Sequence, residues 1–435
     1  MRLLVSFAIA FLPLQIISQE RISLSLDDAI DLALHKNYDI VKENFNLSSA
    51  EYALKEAKGN FLPKVSLNAR YNWNIERPVI FFPDADGTGS TATELGSEND
   101  YTGSFGLNIP AFSKYNAATK KLAEVTLSYQ DEVANGTQQT VVNTVRKAYF
   151  NYLIVQEIEH VQQSQLKNSE ENLEDIRKRK QQGKLTDFDL TSAKVQVAKA
   201  KNSLLEAQSN IIPAANDLIL LLGLEINTVL DLTEPIALLE SELFFEANVN
   251  QVLEQNSTLK QLEFNIDLNE KQIEQIQSAF YPTIDVIGSY NYQTQADDFR
   301  FSNYDWVHTS LVGLQMSFSI FNGNVTKNQV QQTKIDKEIA QQTMENTTRE
   351  FQMQFEELLS QLDFSKQKVF VQKENMELSE EALELSKKRY RFGVGTFLEV
   401  NDAELSYTQA QLNWLQAISD YKSAYYDYQL LIGKQ

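Results

Sequence analysis

Cysteine is absent from this 435-residue sequence, and histidine occurs only three times. The lack of cysteine excludes disulfides, thiolate metal sites and cysteine nucleophiles. His35, His160 and His308 lie far apart and in no metal-ligand spacing, so we interpret them as surface or packing residues. The sequence also contains no Gly-rich phosphate loop, no zinc motif and no nucleophile elbow. It therefore predicts a protein that is not an enzyme and that has no catalytic, cofactor-binding or metal-binding residues.

Basic residues are too few to balance the acidic ones. The chain has 39 Lys and Arg residues against 59 Asp and Glu residues, for a formal charge of −20. This excess argues against a nucleic-acid partner, because phosphate binding needs positive charge. It would instead favour cations in any passage that the protein lines. Wholesale disorder is excluded, since 43% of the residues are hydrophobic and 23% are charged.

Long apolar runs are missing beyond the N-terminus, where no segment approaches the roughly 20 apolar residues of a membrane-spanning helix. Residues 1–18 are typical of a secretory signal peptide, with Arg2 before an apolar stretch and the small Ser18 at its end. A transmembrane anchor is the alternative, but the stretch is short and contains Pro13. A membrane location of the mature chain would therefore require a β-barrel.

The two halves of the chain repeat one plan. A shift of 219 residues aligns matching residues early in each half, and a shift of 210 residues does so later. The aligned pairs include Asn37 and Asn256, Phe45 and Phe264, Phe61 and Phe280, Pro63 and Pro282, Tyr71 and Tyr290, Arg179 and Arg389, Thr186 and Thr396, and Ala193 and Ala403. We predict a first repeat at 19–223, a connector at 224–244 and a second repeat at 245–435.

Each repeat begins with helices and continues into strands. Ser25 and Asp28 form a predicted capping box, and the helices that follow are expected to stop before Pro63. After each proline the hydrophobic period changes to two, which predicts strand pairs at about 64–110 and 283–320. The alternating apolar residues are Val65, Leu67, Ala69, Tyr71, Trp73, Ile75, Tyr101, Phe105, Leu107, Ile109, Ile284, Val286, Tyr290, Tyr292, Val312, Leu314, Met316, Phe318 and Ile320.

These strands fit either a membrane barrel or a soluble sheet, since both alternate polar and apolar residues. Only four strands are predicted, too few for a core of their own. Tyrosine and tryptophan also lie near the strand ends, as in the interfacial girdles of membrane barrels. We therefore favour the barrel, with loops at about 77–100 and 296–306 that are rich in Gly, Asp, Asn, Ser and Thr.

A long helical run follows each strand pair, at 113–182 and 322–392. Apolar residues recur every seven positions in these runs and in the helices that return from them, as in left-handed coiled coils. Asn135-Gly136 is a turn signal that can break the first run. A solid soluble coiled coil would share this pattern. One seam of the returning helices consists of alanines, which permit close packing: Ala193, Ala200, Ala207, Ala214, Ala403, Ala410, Ala417 and Ala424.

Tight turns join the long helices to the returning ones. Thr186 with Asp189, and Thr396 with Glu399, predict a capping box at the start of each returning helix. The turns themselves are Gly183-Lys184-Leu185 and Gly393-Val394-Gly395.

Duplicated halves, a Phe-Leu-Pro entry into a strand, a returning strand, a very long helix and a glycine turn together resemble the TolC-like outer-membrane efflux family. The resemblance covers nearly the whole mature chain and is most specific at 24–71, 221–224 and 389–403. It implies a homotrimer whose chains each contribute four strands to a 12-stranded barrel. The implied fold class is mainly α with a transmembrane β-barrel portion, in which duplicated antiparallel coiled-coil helices form an α-barrel.

The resemblance also implies a function. It predicts a passive outer-membrane exit channel of a tripartite efflux or type I secretion system, which opens at its periplasmic helical tip to export small molecules or proteins. The implied partners are a periplasmic adaptor (membrane fusion) protein, an inner-membrane pump of the RND or ABC type, and outer-membrane lipid. The alternative is a soluble periplasmic coiled-coil scaffold without channel activity.

Site residues follow from the same resemblance. Glu399 and Asp402 fall on the family's acidic constriction positions, and Tyr390 and Asp189 on a contact that holds the closed state. Gly395 departs from the pattern, because the type member carries an arginine of this lock there. Helix capping is the alternative role of Glu399, and a solvated helix face that of Asp402. The implied adaptor-contacting residues are Gly183, Lys184, Leu185, Gly393, Val394 and Gly395.

Overall fold

The computed structural model describes residues 21–83, 87–234 and 255–433. The predicted signal peptide and part of the predicted connector lie outside these residues. The helices are α1 (Leu26–Lys36), α2 (Tyr38–Gly59), α3 (Lys114–Gln181), α4 (Asp187–Leu221), α5 (Ser257–Gln277), α6 (Val325–Arg391) and α7 (Phe397–Leu431). Among them, none combines the length and the hydropathy that crossing a bilayer requires.

The strands are β1 (Arg21–Leu24), β2 (Lys64–Trp73), β3 (Val79–Pro83), β4 (Ser90–Glu94), β5 (Asn99–Ser113), β6 (Val229–Leu232), β7 (Thr283–Ala296) and β8 (Val307–Ser317). The described residues divide into two compact units. One unit lies within 1–44, 134–258 and 347–435, and the other within 45–133 and 259–346. The long helices α3 and α6 each contribute to both units.

An antiparallel sheet in the order β2-β5-β7-β8 forms the strand portion of the second unit. Directly paired residues share a face, so the register separates the polar from the apolar positions, as the alternation predicts. The row Asn68, Ser104, Asn291 and Thr309 lies on the polar face. The other face carries apolar side chains that are more than 60% exposed within one chain: Val65, Leu67, Trp73, Val312, Leu314 and Met316.

Three details of the strands differ from the prediction. Strand β8 ends at Ser317, so Phe318 and Ile320 lie beyond it. Ser317 pairs with Thr283, the first residue of β7 after Pro282, and among the described residues the ladder ends at this pair. Ile75 likewise lies beyond the end of β2. The first loop also contains a hairpin, β3 with β4, that the sequence pattern did not predict.

Helix caps and helix ends follow local chemistry. Ser25 and Asp28 form the predicted capping box, and α2 ends at Gly59 as expected. Strands β1 and β6 pair in parallel, a sheet that the alternation did not reveal because each has only four residues. An apolar cluster from α1, α3, α4 and this small sheet includes the fully buried Tyr149, whose hydroxyl donates to the Leu24 carbonyl at 3.1 Å.

Helix α3 runs without interruption through Asn135 and Gly136, contrary to the expected break. A glycine inside a helix costs about 1 kcal/mol relative to alanine. Flanking residues offset this cost, because Ala134, Val141 and Val142 of the same helix are buried. Tertiary packing therefore overrides the turn signal.

The seven-residue seams are largely buried. On α6, Phe355, Leu362, Val369 and Leu383 are at most 6% exposed, whereas Met376 and Tyr390 of the same spacing are half-buried. The seam alanines of α4 and α7 are buried as well, except for the half-buried Ala403. A second apolar cluster joins α3, α6 and α7 around Phe355, Leu415 and Tyr428.

Candidate functional site

The two turns that follow α3 and α6 have the same backbone geometry. Gly183 and Gly393 both have φ of +74°, a left-handed conformation that only glycine adopts without strain. The Lys184 amide donates to the Arg179 carbonyl at 3.0 Å, and the Val394 amide donates to the Arg389 carbonyl at 3.0 Å. These bonds satisfy the last carbonyls of each helix in Schellman fashion, so both turns are fixed by the backbone.

The two returning helices differ in how their N-termini are capped. Asp189 accepts from the Thr186 amide and hydroxyl at 2.8 and 2.7 Å, which completes the predicted capping box of α4 and lowers the pKa of Asp189. On α7 the Glu399 amide donates to the Thr396 hydroxyl at 3.2 Å, but the Glu399 carboxylate does not return to the cap. The second predicted box is therefore only half formed.

The carboxylate of Glu399 faces Arg389 instead, at 3.8 Å from the guanidinium Nε. Gly395 leaves room for this approach. A Cβ at position 395 would lie 3.1 Å from both the Arg389 Cβ and the Glu399 Oε2, closer than ordinary contact. Gly395, where the type member carries an arginine, thus lies beside Arg389 of α6.

Tyr390, on α6, contacts both α3 and α7 close to the turns. The guanidinium of Arg179 lies 4.4 Å from the centre of its ring, and Arg179 also pairs with Asp175 at 2.8 Å. Burial, with smaller contributions from the charges of Asp175 and Asp189, raises the pKa of Tyr390, while Arg179 opposes the shift. In the part of the chain that the structure describes, the Tyr390 hydroxyl is buried without a hydrogen-bond partner.

The expected contact between Tyr390 and Asp189 is therefore one of proximity, not a hydrogen bond. Both cap bonds of Thr186 end on the same oxygen of Asp189, which orients that carboxylate toward the cap. The ring of Tyr390 is held instead by Arg179 and by Phe397, 6.4 Å away between ring centres. The role of the pair in closure stays a prediction.

The remaining predicted site residues lie at the surface of one chain. Asp402 is exposed on α7. The turn residues Gly183, Lys184, Gly393 and Val394 are exposed as well. Leu185 is half-buried and packs with Phe397 against a small cluster of Leu173, Ile176 and Ala193, so the two turn regions meet. Several apolar side chains beside the turns are at least 65% exposed: Phe188, Phe392, Val394 and Leu398.

Sequence reasoning missed one charged residue in this region. Glu404 on α7 is only 2% exposed, and its Oε2 accepts from the Asn172 side chain of α3 at 3.0 Å. A signal was present, because Glu404 follows Val400 by four residues and therefore lies on the same face of the helix. Acidic residues are seldom buried, however, so the residue type alone predicts solvated surface.

Comparisons with known proteins identify the family of this chain. The profile of the outer membrane efflux protein family matches residues 29–224 and 248–434. Outer membrane protein TolC of Escherichia coli is 23% identical over 388 residues, which cover 84% of this chain and 73% of TolC. The toluene efflux pump outer membrane protein TtgC of Pseudomonas putida is 24% identical over 353 residues, or 77% of this chain and 71% of TtgC.

Solved structures extend the likeness to the fold. The outer membrane protein VceC of Vibrio cholerae matches with a TM-score of 0.74 at 16% identity, covering 94% of this chain and 96% of VceC. This confirms the predicted fold class, mainly α with a transmembrane β-barrel portion and an α-barrel of long helices. The family match confirms the predicted location in the outer membrane. With most of its length covered by the family profile, the chain belongs to the outer membrane efflux protein family.

Proposed function

We propose that this chain is a passive exit channel of a tripartite efflux or type I secretion system and catalyses no reaction itself. The sheet β2-β5-β7-β8 carries the proposal. One of its faces is apolar and exposed, the other is polar, and within the described chain neither β2 nor β8 pairs along its outer edge. Unpaired backbone groups are costly in lipid, so only closure into a barrel suits such a sheet. Three copies of the chain would supply that closure.

The helical portion would then extend into the periplasm and carry the gate. Glu399 and Asp402 are exposed on α7, where copies of the chain could place them around a narrow opening. Crowded carboxylates attract cations, which agrees with the net charge of −20. We expect Tyr390, Arg179 and Asp189 to hold the helices near this opening.

The turns are the proposed contact for a periplasmic adaptor. Exposed apolar side chains such as Phe392, Val394 and Leu398 flank two rigid backbone turns, and an exposed apolar patch is typical of a protein interface. An inner-membrane pump of the RND or ABC type would supply the energy. The names of relatives such as TtgC, an efflux pump outer membrane protein, support this partnership.

Fractionation followed by bilayer recording tests the proposal. We expect the mature chain to need detergent for extraction, to run as a trimer in mild detergent and to give a small resting conductance in planar bilayers. Extraction into aqueous buffer, or a monomeric mass with an intact helical signal, would instead indicate the coiled-coil scaffold. The exposed apolar face of the sheet supports the channel, because such a face is typical of a surface that contacts a membrane or another protein.

A further inference from the structure

The contact between α3 and α7 contains a polar layer between two apolar clusters. Farther from the turns, Val161 of α3 and Leu415 of α7 belong to one buried apolar cluster. Nearer the turns, the Thr408 hydroxyl donates to the Gln165 Oε1 at 2.6 Å, and both residues are less than 10% exposed. The next pair toward the turns is Asn172 with Glu404. This buried polar layer contains one ionisable side chain, Glu404.

The carboxylate of Glu404 is incompletely satisfied. Asn172 donates to its Oε2 at 3.0 Å, whereas its Oε1 is buried and, among the described residues, has no hydrogen-bond partner. Leaving a buried carboxylate oxygen unpaired costs free energy, because the charge has lost its water. Protonation removes the charge and gives the side chain a donor, so the neutral acid suits this position better than the carboxylate.

A cavity of about 270 Å³ adjoins the Glu404 side chain, although its Oε1 atom itself stays buried. Its lining includes Asn168 and Glu171 of α3 and Lys387 and Tyr390 of α6, all of them polar at the side-chain end. The Tyr390 hydroxyl is a second buried polar atom without a partner among the described residues. A polar cavity of this size can hold several water molecules, which provide a route for protons.

The charges around Glu404 come from α3 and α6, the two helices packed against this part of α7. On α3, Glu171 opposes ionisation, while Asp175 and Arg179 pair with each other at 2.8 Å. On α6, Lys387 favours ionisation but also lies 3.6 Å from Glu384, and Arg391 lines the same cavity. Burial outweighs the effects of Lys387 and of the Asn168 and Asn172 amides, and it raises the pKa of Glu404 above the ordinary 4.5.

We propose that Glu404 is a proton-binding site in the polar layer, and that its protonation tightens the contact between α7 and α3. The direction of the pH dependence follows from the linkage between proton binding and folding. A carboxyl group whose pKa is raised by folding takes up its proton first in the folded state. Its stabilising contribution is fully present below the unfolded value of 4.5 and is lost as the pH rises through the raised value. Acidification through the raised pKa would therefore tighten the helices near the turns.

Hydrogen exchange of the detergent-solubilised full chain tests this proposal. We expect α7 peptides spanning 398–410 to be protected several-fold more at pH 5 than at pH 8, after correction for intrinsic exchange rates. Glu404→Gln imitates the protonated acid and should be protected equally at both pH values. Glu381→Gln, an exposed control on α6, should behave like the wild type. If Glu404→Gln kept the wild-type pH dependence, the proposal would be overturned.

Two further variants separate Glu404 from its neighbours. Asn172→Ala removes the donor to the carboxylate, so the midpoint of the pH-dependent protection should move to higher pH. A midpoint that stays in place or moves down would contradict the assignment. Glu399→Gln combined with Asp402→Gln neutralises the proposed gate and should retain the wild-type protection profile. Loss of the pH dependence in that double variant would assign it to the gate instead.

Discussion

Glu399 and Asp402 have different surroundings, although the family resemblance places them in one constriction. Glu399 lies 3.8 Å from Arg389, which partly neutralises its charge. Asp402 is exposed one helical turn farther along α7. A neighbouring cation weakens the field of a carboxylate at a distance. If both line the opening, Asp402 should therefore contribute more to cation attraction than Glu399.

The first prediction follows from this difference. Asp402→Ala should reduce the preference for cations over anions by at least about twofold, Glu399→Ala should reduce it less, and the double variant most. Reversal potentials in planar bilayers under a salt gradient measure this preference. Glu377→Ala with Glu381→Ala removes the same charge from exposed positions on α6 and serves as the control. Wild-type selectivity in the Glu399 and Asp402 double variant would return these residues to capping and solvation.

The second prediction concerns Tyr390, whose ring rather than its hydroxyl makes the described contacts. Tyr390→Phe should be nearly neutral, because the ring keeps its place over Arg179. Tyr390→Leu should destabilise the helical portion by about 0.5–2 kcal/mol through loss of the cation–π contact. Denaturant unfolding followed by circular dichroism compares the two. Equal destabilisation by both substitutions would show that the hydroxyl has a partner in the assembled protein.

At the level of single residues, the sequence predicted positions better than contacts. It predicted both glycine turns, because each stands in a short distinctive stretch, whereas the roles of Glu399 and Tyr390 stay predictions. It did not predict that Glu399 approaches Arg389 or that Glu404 is buried, because these facts depend on how neighbouring helices pack. Helical spacing fixes which residues share a face, but it does not say which face a neighbouring helix covers.

Among the elements, α7 packs closely through a seam of buried alanines. Ala410, Ala417 and Ala424 of α7 are at most 4% exposed, and they recur every seven residues. Alanine at one core position lets the helices approach closely while larger residues fill the other. A larger side chain at the alanine position has no free volume to occupy.

Ala410→Leu is the third prediction. The substitution should overpack the seam and destabilise the protein by about 1–3 kcal/mol. Thermal unfolding in detergent measures the change. Gln409→Leu introduces the same side chain at the adjacent exposed position and should have a much smaller effect. An unchanged midpoint for Ala410→Leu would mean that α7 repacks or that this seam faces water in the assembly.

Elements whose period repeats many times were predictable. Very short elements, and features that depend on tertiary packing, were not. The repeated heptads and alternating strands are each supported by many residues, so α6 and β7 appeared close to their observed limits. The four-residue strands β1 and β6 are too short to show a period. The turn signal at Asn135-Gly136 was local, and buried neighbours in α3 outweighed it.

At the scale of the whole molecule, the sheet remains open within one chain. Strands β2 and β8 are its outer members, and β5 and β7 separate them. With about 4.8 Å between neighbouring strands, β2 and β8 of one chain are roughly 14 Å apart along the sheet. A disulfide needs Cα atoms within about 7 Å, so these two strands cannot be linked inside one chain. They can be linked only between copies that pair edge to edge.

Because the chain has no native cysteine, introduced cysteine pairs between β2 and β8 provide the fourth prediction. Asn68→Cys on β2 is combined in turn with Thr309→Cys, Leu311→Cys or Gly313→Cys on β8, all on the same face of the sheet. If three copies close one barrel, at least one combination should form covalent dimers and trimers on mild oxidation, seen on non-reducing gels. The Asn68→Cys variant alone has no β8 partner and should give no trimer. Monomer alone in every combination would contradict closure by β2 against β8. Ladders beyond the trimer would instead indicate an open array of sheets, because a closed ring of three leaves no free edge to extend.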